Sequence, residues 1–380
     1  MNAGMERNPF IIAGKIPTEF FCDRKEESER LIGCINNQEN VVLISPRRVG
    51  KTGLIDFCFD KPVIKNQYIT VTVDILHTTS FREFILSFGN AVYKKVAKRS
   101  ERLLKLFAST LKSLSGSFGY DPIQNTPTFD IKLGDITSPE YTLEEIFDFL
   151  ENAEQRCIVA IDEFQQIVYY PEKNIEAILR SYVQKAANAN FIFAGSERRI
   201  MGEMFQSSKR PFFQSATLIP LEPIKLDLYT DFVLSHFKAV GKGVLPETVK
   251  KVYDGFNGVT LYIQRIFHDA YSEVPEKGMC SDEFAEALTN RYVTENSTRL
   301  REHLTYVSEQ QKELLYAICS EGVAEMITSS AFVKRHRLKS ASAVQSALKK
   351  LLEYDLVTEH EHKYSIADPL MRMWLKAELT

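Results

Sequence analysis

At 380 residues the chain is long enough for two or three domains with substantial cores, and 44% hydrophobic with 26% charged residues is the make-up of an ordinary water-soluble protein. A formal net charge of −3 supplies no global basic field to draw in nucleic acid or an anionic membrane. Six scattered cysteines (Cys22, Cys34, Cys58, Cys157, Cys280 and Cys319), without a C-x-x-C pair, argue against a zinc site or a disulfide framework and fit a reducing cytoplasm.

The opening residues, Met1 to Arg7, lead into no long apolar stretch, so no signal peptide is expected. No segment offers the roughly 18 consecutive apolar residues of a membrane span. The first strong element is Val41-Val42-Leu43-Ile44, which reads as a buried strand. It runs into Ser45-Pro46-Arg47-Arg48-Val49-Gly50-Lys51-Thr52-Gly53, and the chain then turns helical with Leu54, Ile55 and Phe57. Strand, loop and helix in that order are the context a phosphate-binding loop needs. Such a loop cradles phosphates with backbone N–H groups at a helix N-terminus, where the helix dipole also favours an anion. Lys51 is then expected to reach the β- and γ-phosphates of ATP, and the Thr52 hydroxyl to ligate Mg²⁺. Ser45 stands where the usual pattern has glycine, which the loop tolerates if φ there is negative.

Farther on, Tyr68 to Asp74 is rich in β-branched residues and reads as a second strand. Residues 81–114 carry apolar residues at helical spacing, with Lys94, Lys95, Lys98, Arg99, Arg102 and Lys105 on what is better read as a solvated face than as a nucleic-acid groove. Residues 115–140 read as a loop or insertion, and Thr142, with Glu145 three residues on, as a helix cap. Cys157-Ile158-Val159-Ala160-Ile161 is a continuous apolar run that stops at Asp162-Glu163. That is the pattern of a parallel strand buried on both faces. At its end Asp162 is expected to hold Mg²⁺ and Glu163 to orient and deprotonate a water. A P-loop kinase has little need of that glutamate. Asn190 to Gly195 repeats the strand pattern and ends at Ser196, a candidate sensor of the γ-phosphate or the water, and Thr217 to Leu221 is a last short strand. Strands alternating with helices imply an α/β fold with a parallel sheet, and ligands collect at the strands' carboxyl ends.

After Pro223 helical spacing dominates, with a turn at Gly255-Phe256-Asn257-Gly258. From Ser308 three helices, Gln311 to Ser320, Ser330 to Arg337 and Ser342 to Tyr354, are closed by a hairpin flanking His360-Glu361-His362, which is a winged-helix pattern. The two histidines find no third ligand. The reading is a P-loop core over 1–222, a helical lid over 223–304 and a winged helix over 305–380.

At this point the chain resembles the AAA-related, STAND-type archaeal and bacterial P-loop ATPases. The likeness rests on Asn8-Pro9-Phe10 with Phe21-Cys22-Asp23-Arg24, on the loop with its Arg47-Arg48 pair, on Asp162-Glu163-Phe164-Gln165, and on Tyr364 to Pro369 with Arg372 and Trp374. It implies an AAA/ASCE-like core, an opening segment over the adenine, and ATP with Mg²⁺ as cofactors. Two departures, Gln214-Ser215 after Phe212-Phe213 and Gly258-Val259-Thr260 in place of a Gly-x-Pro turn, imply slow hydrolysis. The expected function is therefore a nucleotide-controlled switch with weak Mg²⁺-dependent ATPase activity. The alternative is a DNA-binding regulator with a structural ATPase core. From residue 301 on, 11 basic and 11 acidic residues balance, whereas DNA-reading modules are usually basic. Lys334-Arg335-His336-Arg337-Lys339 and the Gln345, Lys349 and Lys350 face keep duplex DNA open beside a protein partner.

Overall fold

The three central strands of the core are short, largely apolar runs buried on both faces, as a parallel sheet between helical layers demands, while the two edge strands keep exposed residues. The computed structural model describes residues 7–121, 126–129 and 131–379, which form two units, residues 15–222 and residues 7–14 with 223–379. The first unit runs α1 (Lys25–Asn36), β1 (Val41–Ile44), α2 (Lys51–Asp60), α3 (Pro62–Lys65), β2 (Ile69–Asp74), α4 (Phe81–Ala97), α5 (Glu101–Thr110), β3 (Phe118–Asp121), β4 (Thr126–Phe129), α6 (Pro139–Asn152), β5 (Cys157–Asp162), α7 (Ile175–Lys185), β6 (Ala189–Gly195), α8 (Arg198–Gln206) and β7 (Thr217–Pro220).

Five strands form one parallel sheet in the order β2-β5-β6-β1-β7. Because β6 lies between β1 and β5, this is the parallel P-loop core expected from the sequence. Alternate residues of each strand feed opposite layers. Cys157, Val159 and Ile161 join the core formed with α4, α5 and α6, while Ile158 and Ala160 join that formed with α1 and α2. The register pairs Ile44 with Gly195 and Asp74 with Asp162. It thereby gathers the carboxyl ends of β1, β5 and β6 on one edge.

The connection between β2 and β5 departs from the sequence reading in three places. The expected helix over 81–114 is two helices, because Ser100 caps α5 by accepting from the N–H groups of Arg102 and Leu103. Its basic side chains are largely engaged: Lys95 donates to Thr70, Arg99 to the Tyr68 carbonyl, and Arg102 and Lys105 pair with Glu154 and Glu101. Within the expected loop 115–140 lies an antiparallel hairpin of β3 and β4, with 122–125 and 130 outside the described residues. Thr142 is not a cap. Pro139 occupies the first turn, so the cap position falls at Ser138, four residues earlier, and Glu145 turns inward to accept from Ser113.

The second unit comprises α9 (Leu226–Ala239), β8 (Gly243–Val244), α10 (Pro246–Gly255), α11 (Thr260–Glu273), β9 (Met279–Cys280), α12 (Asp282–Glu295), α13 (Ser297–His303), α14 (Glu309–Glu321), β10 (Ala324–Glu325), α15 (Ser330–Arg335), α16 (Ala341–Glu353), β11 (Val357–His360), β12 (Lys363–Ile366) and α17 (Pro369–Leu379). Helices α14, α15 and α16 with an antiparallel sheet ordered β10-β12-β11 make the winged helix. Residues 7–14 belong with this unit rather than with the core. Phe10 is fully buried among Phe232, Phe237, Phe267 and Tyr271, and Asn8 donates to the His268 carbonyl. The end of the winged helix is bolted to the helices before it. Asp368 accepts from the Tyr262 hydroxyl at 2.8 Å, and Arg372 donates to the Gly255 carbonyl and to Asn257. Among the described residues no helix is long and apolar enough to cross a membrane.

Candidate functional site

The loop after β1 enters α2 through Gly50 at φ +93°, a left-handed conformation that carries no Cβ penalty only for glycine. No side chain caps this helix. Its first intrahelical bond is from the Leu54 N–H to the Gly50 carbonyl. Among the described residues the N–H groups of Lys51, Thr52 and Gly53 therefore have no protein acceptor, as at any uncapped helix start. Ser45 and Val49 are buried behind the loop, while Arg47 and Arg48 are exposed, with Pro46 intermediate. Arg47 stands 3.8 Å from Glu197.

Lys51, Thr52, Asp162, Glu163 and Ser196, expected from the sequence to share one site, form a single hydrogen-bonded cluster. The Lys51 ammonium lies 2.8 Å from Asp162 Oδ1 and 3.0 Å from Glu163 Oε1. The Thr52 hydroxyl donates to Asp162 Oδ2 at 2.6 Å. Glu163 Oε2 accepts from Ser196 Oγ at 2.7 Å and from Gln165 Nε2 at 2.6 Å. Burial pushes the Glu163 carboxyl up, but the Lys51 charge and the hydrogen bonds from Gln165, Ser196 and Lys51 outweigh it and hold the group below the ordinary glutamate value. Glu163 is thus an anion at neutral pH.

Gln165 is the contact that sequence reading of the site missed. Glu163 adopts φ +57°, ψ +41° and starts a 3-10 turn over Phe164–Tyr169, which folds the side chain two residues on back onto its carboxylate. Gln165 is itself buried, and its Oε1 has no partner. Gly195 makes room for it, since a Cβ there would lie 2.5 Å from Met201 Sδ and 2.6 Å from Gln165 Oε1. Gly195→Ala is therefore expected to push Gln165 off Glu163 and to cost about 1–3 kcal/mol in urea unfolding at pH 7. An unchanged midpoint would show that the strand end has room to spare.

A family model described as a probable winged helix domain matches residues 298–377. No curated protein sequence matches the chain. Among solved structures, the Walker-type ATPase of Pyrococcus abyssi is similar at 17% identity, over 97% of this chain and 99% of that one, with a TM-score of 0.69. The ORC2 protein of Aeropyrum pernix, in ADPNP–ADP complexes, is similar at 12% identity over 99% of both chains, with a TM-score of 0.58. At these identities the likeness is one of fold.

Proposed function

We propose that this protein binds ATP with Mg²⁺ and hydrolyses it slowly, its nucleotide state acting as a switch. The observation that carries this reading is the cluster of Lys51, Thr52, Asp162, Glu163 and Ser196 at the uncapped start of α2. The Ser45–Gly53 loop would hold the phosphates through its backbone N–H groups, and Lys51 would neutralise the β- and γ-phosphates. Thr52 Oγ1 and Asp162 Oδ2, two hard oxygen donors 2.6 Å apart, suit Mg²⁺, which when bound would neutralise phosphate oxygens. Glu163 would orient the attacking water and take its proton. Lys51, Gln165 and Ser196 already donate to its oxygens, which stabilises the anion and makes it a weaker base. That supports slow turnover. The similar folds include a Walker-type ATPase and a protein solved with ADPNP and ADP, which supports nucleotide as the ligand. A switch further requires that nucleotide bind two conformations with different affinity. In this reading residues 223–304 act as the lid and 305–380 as the effector module.

A second reading, DNA binding through the winged helix, is favoured by exposed Gln345 and Lys349 on α16. Against it, Glu321 engages both Arg335 and His336 of the basic cluster, and Lys350 pairs with Glu353. Calorimetric titration with ATP·Mg²⁺, repeated with a duplex DNA at low salt, tests both. The expected result is nucleotide binding that duplex leaves unchanged. Duplex-dependent affinity or turnover selects the DNA reading, and no heat from nucleotide removes the first.

A further inference from the structure

Among the described residues only two basic side chains are buried, Lys51 in the cluster above and Arg24. Arg24 is 3% exposed and holds φ +65°, a left-handed conformation that non-glycine residues adopt rarely. Its guanidinium makes three hydrogen bonds. Nη2 donates to the Val49 carbonyl at 3.0 Å, and Nη1 donates to the Glu222 carbonyl at 2.6 Å and to Glu27 Oε1 at 2.8 Å. None of these partners is near it in sequence except Glu27.

The Val49 carbonyl and the Gly50 N–H belong to one planar trans peptide, so they point in opposite directions. An arginine that draws the carbonyl to the back of the loop turns the Gly50 N–H to the front. Glu222, the other carbonyl partner, is the last residue of the core before the chain passes into the second unit at Pro223. Its carboxylate is gripped in turn by Arg198, at 3.0 and 2.9 Å, and Arg198 opens α8 two residues after Ser196. Glu222 therefore meets, through its backbone carbonyl, the same guanidinium that holds the Val49 carbonyl and, through its exposed carboxylate, Arg198 of the helix that follows Ser196.

We infer that Arg24 is a positioning residue: it sets the Gly50 peptide for phosphate binding and couples that peptide to Glu222. The inference rests on the nucleotide reading above and adds the route by which occupancy of the loop is felt where the core ends. The two carbonyls are bridged by a planar fork of donors, which lysine, a point charge on a flexible stem, does not reproduce.

The test uses the full chain with ATP·Mg²⁺, in calorimetry and in hydrogen exchange over residues 46–54 and 218–224. In the wild-type chain nucleotide should slow exchange in both segments. Protection confined to 46–54 overturns the coupling, whatever the variants do. Arg24→Lys, which keeps the buried charge, should bind ATP·Mg²⁺ about tenfold more weakly and lose the nucleotide-dependent protection at 218–224, while β5 and β6 stay protected. A folded Arg24→Lys with wild-type affinity and wild-type protection overturns the assignment. Lys51→Ala separates the two levels. If the wild-type chain fails to bind ATP, the nucleotide reading falls. If the wild type binds, Lys51→Ala does not, and Arg24→Lys is unaffected, only this inference falls.

Discussion

Lys51→Ala is expected to abolish measurable ATP binding, an affinity loss of about 100-fold or more, since each hydrogen bond to a charged group is worth about 1.5–3 kcal/mol. The same change acts on the protein without nucleotide. The single Lys51 ammonium is shared by Asp162 and Glu163, and the three side chains are 7%, 7% and 19% exposed. Removing it leaves two adjacent carboxylates with no shared cation, a loss of about 1–3 kcal/mol, below the figure for fully buried pairs because Glu163 keeps some solvent. The sign of the pH dependence follows from Glu163. Its folded value lies below the ordinary one, so in the wild type it contributes stability that is present above the unfolded carboxylate pKa and is lost as pH falls through the folded value. In the variant the Lys51 contribution is gone and burial works against the charge. The stability gap between the two proteins should therefore be widest at neutral pH and shrink toward about pH 4. Calorimetry at neutral pH, with urea unfolding at neutral and at acidic pH, checks both halves. Unchanged affinity would remove the loop as the nucleotide site.

Much of this site was legible in the sequence because its two halves are unusually local. An apolar run without alternation, such as Val41 to Ile44 or Cys157 to Ile161, is too short for a buried helix and rich in β-branched residues, so it reads as a strand buried on both faces, and charged or loop residues end it abruptly. The residues after each end then had to meet at one edge of a parallel sheet. What the sequence hid depends on single backbone conformations and distant partners. Gln165 reaches Glu163 only because Glu163 takes a positive φ, and Arg24 reaches carbonyls 25 and 198 residues away. Residues 7–14 carry no periodicity, and Phe10 owes its place to aromatic rings more than 220 positions on. At α6 two start signals competed, and Pro139, preset for a first helical turn, prevailed over Thr142. The β3–β4 hairpin was concealed by Gly, Pro and Asn, which mark loops by composition although Pro127 sits in an edge strand that can spare its N–H.

Glu163→Gln should leave ATP binding within about threefold of wild type and lower turnover by about 10²–10⁴-fold, the usual range for a lost general base. The argument begins with what the substitution does not disturb. The carboxamide oxygen that the change introduces can keep the Lys51 contact now made by Oε1, so the ammonium stays between the loop and Asp162. The new amide nitrogen replaces Oε2, which accepts from both Gln165 Nε2 and Ser196 Oγ, so donor would face donor if nothing moved. Both neighbours can adapt. The Ser196 hydroxyl can rotate to accept, and the Gln165 carboxamide can flip to present Oε1, the buried oxygen that has no partner in the wild-type arrangement. The variant should accordingly fold and melt close to wild type, which separates this change from Lys51→Ala. What it loses is the basic oxygen. Glu163 is ionised above its lowered pKa, so the acidic decline of wild-type hydrolysis that its protonation causes should lie below the ordinary glutamate value, and the variant should lack that limb. Single-turnover hydrolysis with both proteins, alongside calorimetric affinities, decides the matter. Wild-type rates in Glu163→Gln would move the water-activating role to another residue, and weakened binding would mean that the carboxylate serves the loop through Lys51 rather than the water.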